Sequence, residues 1–100
     1  MAYRVVWSAK AVEDVEAIAT YIARDSPFYA AAVVQKLLEL ADSLDNCPLA
    51  GSVVPEFTDP GIQEKLAYTY RLVYRISAEV VTVAAVIHGR RLLTVSERVV

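Results

Sequence analysis

Two runs late in the chain, YRLVYRI at residues 70–76 and VVTVAAVIH at 80–88, are rich in β-branched and aromatic residues and leave room for only a tight turn between them. Side chains of a strand alternate between faces, so Tyr70, Leu72, Tyr74 and Ile76 share one side and Arg71, Val73 and Arg75 the other. With Ser77-Ala78 as a two-residue loop, Ile76 lies opposite Glu79, and the apolar side continues through Val81, Val83, Ala85 and Ile87. That side must meet another layer. The opposite side then collects the arginines with Val80, Thr82, Ala84, Val86 and His88, and no helix remains to cover it. A slip of one residue would bury arginines, which is costly, so the register is well specified.

The covering layer is legible upstream. Tyr3 to Trp7 reads as a first strand, and Ser8 is placed to cap a helix whose apolar positions Val12, Val15, Ile18, Ala19 and Ile22 fall at helical spacing. Ser26-Pro27 starts a second helix, cap followed by proline at the first helical position, carrying Ala31, Val34, Leu37, Leu38, Ala41 and Leu44 and ending near Asn46. A loop follows from Gly51 to Gly61, punctuated by Pro55 and Asp59-Pro60, in which Ser52-Val53-Val54 reads as a short edge strand. Strands are expected at 62–67, 69–76 and 80–88. The pattern is β-α-α-β-β-β: one α+β domain over residues 1–100, a helical hairpin packed on one face of an antiparallel β-sheet.

Several function classes are excluded by inventory. Cys47 is the only cysteine and His88 the only histidine, so an ordinary zinc site cannot be assembled, and an intrachain disulfide is impossible. Three glycines in total leave no glycine-rich phosphate loop, and no nucleophile-elbow motif is present. No cofactor is therefore expected. The lone thiol suits a reducing compartment, and the longest late apolar stretch, Val83 to Ile87, is far too short to span a bilayer, so a cytoplasmic protein without membrane association is expected. Hydrophobic residues make up 56% of the chain, and a domain of this size buries only about 65% of the surface its unfolded chain exposes. Surplus apolar surface points to a protein partner.

Charge is unevenly distributed. Residues 1–60 hold four basic against nine acidic residues, whereas residues 61–100 hold six against three, mostly arginine. Arginine favours planar, bidentate contact with phosphate or carboxylate. Arg71, Arg75, Arg90 and Arg91 are accordingly the candidate target-binding residues, with Arg71, mid-strand among apolar neighbours, the foremost. His88 is a candidate acid or base, but in this register it lies about 13 Å along the strand from the position opposite Arg71, at ~3.3 Å per residue. Gly89 permits a sharp exit, after which Arg90 and Arg91 can fold back over the open face.

YRVVWSAKAVEDVEAIATYIARDSP, GSVVPEF, and YRLVYRI followed by VIHGRRLL together resemble the RelE/ParE toxins of bacterial toxin–antitoxin systems over nearly the whole chain. The resemblance implies a helical hairpin on an antiparallel sheet, and an antitoxin whose extended C-terminal segment wraps the toxin. RelE-like members cleave mRNA in the ribosome without a metal, the attacking group being the RNA's own 2′-hydroxyl; ParE-like members inhibit DNA gyrase by binding it. Against the RNA-cleaving pattern Arg71 matches a phosphate-binding arginine and Arg91 a second functional arginine, which with His88 are the catalytic candidates. Two lysine positions of that pattern fall on Ile62 and Glu64, and a tyrosine position falls on Glu97. HGRR after the last strand is similar to the ParE-like branch. The resemblance thus implies a gyrase-binding toxin held by a cognate antitoxin, with a ribosome-dependent mRNA endonuclease, or an inactive antitoxin-binding module, as the alternatives.

Overall fold

The computed structural model describes residues 3–46, 48–57 and 59–89. Cys47, Arg90, Arg91 and Glu97, singled out above, lie outside them. The elements are β1 (Arg4–Trp7), α1 (Ala9–Ala23), α2 (Pro27–Asp42), β2 (Ser52–Val53), β3 (Ile62–Ala67), β4 (Tyr70–Ser77) and β5 (Val80–His88), with 3-10 turns at Ser43–Asp45 and Pro48–Ala50. Both helix starts follow from local chemistry: Ser8 accepts from Ala11 N–H at 3.0 Å, and Ser26 accepts from Tyr29 N–H at 3.1 Å with Pro27 next.

The strands form one sheet in the order β1-β5-β4-β3-β2. β2 to β5 are antiparallel as expected, but β1 runs parallel to β5, pairing Arg4–Trp7 with Val80–Val83, so the sheet is mixed. Both helices pack on one face. Ala11, Ile22, Ala30, Val33, Leu37, Ala41 and Leu44 meet Leu72, Tyr74, Val81, Val83 and Val86 there. The helix stripes are rotated from those expected: Ala11, Ala30 and Val33 are in the core, whereas Val12 and Leu38 remain 44% and 47% exposed. Each helix carries apolar residues on more than one side, so periodicity alone does not choose which side faces the sheet.

The register departs from expectation twice. The β4–β5 loop is Ala78-Glu79, so Ile76 pairs with Val81 rather than Glu79. Neither loop residue is glycine or asparagine, and Ala78 takes a left-handed conformation with φ 54°, an uncommon choice that no turn motif announces. Further along, Tyr74 pairs with Val83 but Val73 with Ala85, which leaves Ala84 as the extra residue of a β-bulge. Beyond it the sides are exchanged. Val86 and His88 fall on the helix side, and Ala85 and Ile87 on the other, the reverse of a regular strand's arrangement.

α1 takes up the backbone groups that the bulge leaves without strand partners. β1 ends at Trp7; Ser8 N–H then donates to the Val83 carbonyl at 2.9 Å, Ser8 Oγ donates to the Ala84 carbonyl at 3.0 Å, and Val86 N–H donates to Asp14 Oδ2 at 3.0 Å. Gly51 is required for space: a Cβ there would sit 2.6 Å from the Glu64 carbonyl oxygen and overlap the hydroxyl of Tyr74. That hydroxyl, fully buried, donates to the Pro48 carbonyl at 2.7 Å and lies 3.2 Å from Gln63 Oε1. Among the described residues no helix is long and apolar enough to cross a membrane.

Two substitutions test this account. Asp14→Ala removes the acceptor of Val86 N–H, and an unmet buried donor costs about 1–3 kcal/mol. Thermal unfolding should therefore shift down by roughly 4–8 °C for each kcal/mol lost. Ala78→Gly relieves the left-handed turn, against a smaller entropy gain of the unfolded chain, and should raise stability by about 0.5 kcal/mol in urea unfolding.

Candidate functional site

The sheet face turned away from the helices is not open. After β2 the chain makes a four-residue turn, Val54-Pro55-Glu56-Phe57, closed by Phe57 N–H donating to the Val54 carbonyl at 3.1 Å. Proline at the second position of such a turn has the right φ already set. Val54, wholly buried, and Phe57 pack on this face against Ile62, Val73, Ala84, Ala85 and Ile87 to make a second, smaller core.

Arg71 lies at the edge of that core. Its cross-strand neighbours are Leu66 on β3 and Ile87 on β5, and only 5% of it is exposed. This corrects the expectation of an arginine lining an uncovered surface. Two carboxylates compensate its burial. Glu56 receives both terminal nitrogens, Nη1 at 3.0 Å and Nη2 at 2.5 Å, while Nη1 also donates to Glu64 Oε1 at 2.9 Å. Glu56 comes from the covering turn, and Glu64 from the diagonal position on β3. The bidentate bond from Glu56 raises the guanidinium further above its ordinary pKa, against the opposing effect of burial, and Glu64 adds to the rise. Arg71 thus remains charged, but its charge is already met.

The other predicted residues are dispersed around this ion cluster. Arg75 is on the same face as Arg71, four residues along β4, opposite Ile62 and Thr82, and partly exposed. His88 is paired with Tyr70, next to the position opposite Arg71, so the expected separation of about 13 Å along the strand does not hold. The bulge nevertheless puts it on the opposite face. There its ring meets that of Tyr70 edge-on, with centroids 5.7 Å apart, beside a groove of about 450 Å³ lined by Asp14, Ile18 and Tyr21. Burial, with smaller contributions from Tyr29 and Tyr21, pushes the Tyr70 hydroxyl above its ordinary pKa, so at neutral pH it stays protonated. Arg71 and His88 are therefore not brought together.

Glu56 is the residue that sequence reasoning missed. Its only local signal is Pro55, which marks the turn; the contact with Arg71, fifteen residues later, arises from folding the turn across the sheet. Glu64, read from sequence as a missing lysine, is half of the clamp on Arg71. Among the described residues no cluster of three or more His, Cys, Asp or Glu side chains is arranged to hold a metal ion.

Comparison with known proteins agrees with this architecture. A solved structure of the chromosomal ParDE toxin–antitoxin system of P. aeruginosa superposes with a TM-score of 0.69 at 20% identity, covering 86% of this chain and 95% of that one. The RelBE2 toxin–antitoxin complex of Mycobacterium tuberculosis gives 0.59 at 27% identity, covering 88% and 99%. An arginine-substituted variant of E. coli RelE in the free state gives 0.64 at 20% identity, covering 90% and 86%. No curated protein sequence matches the chain. The sequence model described as the ParE toxin of the type II toxin–antitoxin system parDE matches residues 5–93. With nearly the whole described fold inside that match, the chain belongs to the ParE toxin family of type II toxin–antitoxin systems, within the RelE/ParE superfamily.

Proposed function

We propose that this toxin acts by binding, as an inhibitor of DNA gyrase neutralised by its cognate antitoxin, rather than by cleaving RNA. The observation that carries binding over catalysis is the clamp on Arg71. A phosphate could be held there only by displacing Glu56, whose bidentate bond and buried setting oppose the exchange. Cleavage through the RNA 2′-hydroxyl would also need groups that carry protons and stabilise the phosphorane charge. Of the positions that match the lysines of RNA-cleaving relatives, Ile62 is in the second core and Glu64 is acidic and engaged with Arg71. His88 lies on the far face. Arginine, protonated throughout the neutral range, is a poor proton carrier.

In this reading Arg71 is a positioning residue that holds the Val54–Phe57 turn, and the target-facing charge comes from Arg75 with Arg90 and Arg91. Inducing the chain in bacteria should slow growth and cause filamentation, relieved by the neighbouring gene's product. Gyrase supercoiling should be inhibited in vitro, with translated mRNA intact; codon-positioned mRNA cuts with normal supercoiling would establish the endonuclease instead.

Arg71→Ala leaves two largely buried carboxylates facing each other. Breaking such a cluster costs about 3 kcal/mol or more, so the thermal midpoint should fall by more than roughly 10 °C and toxicity should fall with it. Arg75→Ala should leave the midpoint within about 2 °C, since partly exposed substitutions are mild, while weakening gyrase inhibition. A stable but non-toxic Arg71→Ala protein would place Arg71 on the target instead.

A further inference from the structure

Aromatic rings gather where the hairpin turn meets the β3–β4 turn. Tyr70 meets His88 edge-on, and Tyr21 and Tyr29 lie close enough to add to the upward push on the Tyr70 hydroxyl. Tyr29 in turn meets Tyr68 edge-on, with centroids 5.7 Å apart. Tyr68 takes a left-handed φ of 56° between β3 and β4, an uncommon conformation for a bulky residue and one that keeps its ring in this group. Burial does not account for the gathering: Tyr21 and Tyr68 are 69% and 57% exposed, and Phe28, next to Tyr29 in α2, is 87% exposed.

The groove of about 450 Å³ lies between these rings and α1. One wall is Asp14, Ala17, Ile18 and Tyr21, the last three spaced three, four and seven residues on from Asp14 and so on one side of the helix; the other wall includes Tyr70 and His88. Among the described residues that line it, Asp14 is the only acid. Its Oδ2 accepts from both Val86 N–H and Lys10 Nζ, while its Oδ1 accepts no hydrogen bond among the described residues. Lys10, one turn earlier in α1, reaches the carboxylate from outside the groove's lining. Half of the carboxylate is thus available, and its surroundings are aromatic. Ring faces carry negative potential, so the rings and the carboxylate favour a cation together and disfavour a phosphate.

We infer that this groove receives one cationic side chain, arginine foremost, presented by a protein partner. The guanidinium donates to Asp14 Oδ1 and stacks on the ring of Tyr21, and its aliphatic stem covers Ile18. Arginine suits the site better than lysine because its planar head can stack and donate at once. The source is a protein rather than a free cation because Phe28, Tyr29 and Tyr68 continue the exposed surface beyond the groove, an area that the chain flanking an arginine covers and a small cation does not. The assignment goes beyond the gyrase reading and does not rest on it.

An NMR titration of the full chain tests this, using a short alanine peptide with one central arginine and a control with citrulline, its uncharged isostere. At millimolar concentration the arginine peptide should shift the signals of Asp14, Ile18, Tyr21 and Tyr70, and it should bind about five-fold more tightly than the control. Asp14→Asn keeps an acceptor for Val86 N–H but loses the charge, and should abolish that preference. Tyr21→Leu should weaken arginine binding about three-fold, whereas Tyr21→Phe, which keeps the ring face, should bind as the unaltered chain does; at so exposed a position both should fold normally. Equal binding of the two peptides, equal loss in Tyr21→Leu and Tyr21→Phe, or no shifts at the groove would overturn the assignment. So would spermidine binding more tightly than the arginine peptide, which would mark a free polyamine as the ligand. Oligothymidylate shifting the same signals at lower concentration would also overturn it, in favour of base stacking.

Discussion

The extra residue in β5 decides how the rest of the sheet is used. A regular strand from Val80 to His88 would put Val86 on the same face as Arg71; the bulge at Ala84 turns Val86 into the helix-side core and Ile87 into the second one. Bulges leave backbone groups unmatched, and here Ser8 Oγ and the Asp14 carboxylate take up those around Ala84 and Val86. The N-terminal half of α1 thus continues the edge that β1 begins, and Ser8 caps the helix as well. The seat of α1 on the sheet depends on this junction.

Burial on two faces explains how a domain of 100 residues uses so apolar a composition. One face meets the helices; among the described residues the other is covered by Val54 and Phe57, a small area that the neighbouring ion cluster reinforces. The bidentate bond between Glu56 and Arg71 fastens it. An ion pair of this kind adds little net stability compared with a well-packed apolar substitute, but it fixes one geometry, because neither charge can be left buried without the other. The same feature removes Arg71 from the set of arginines free to meet a nucleic-acid phosphate. Resemblance of sequence and availability of a side chain are separate questions at this position, since a matched motif says nothing of the carboxylate that folds against it.

Element types, their order and most boundaries were legible in the sequence. Ser8 and Ser26-Pro27 start the helices through their own backbone bonds, and alternation in residues 70–76 keeps tyrosine and leucine on the helix side, because both effects are local. The sequence also determined that the arginines share one face, that the histidine cannot join a metal cluster of the usual kind, and that the chain resembles a toxin family. Tertiary structure alone decided the parallel pairing of β1, the side of each helix that meets the sheet, the bulge that sends His88 away from Arg71, and the partnership of Arg71 with Glu56. In each of these the deciding contact joins residues far apart in the chain, 72 positions for Asp14 and Val86 and 15 for Glu56 and Arg71, and hydrophobic periodicity carries no record of which distant group will satisfy a donor or a charge.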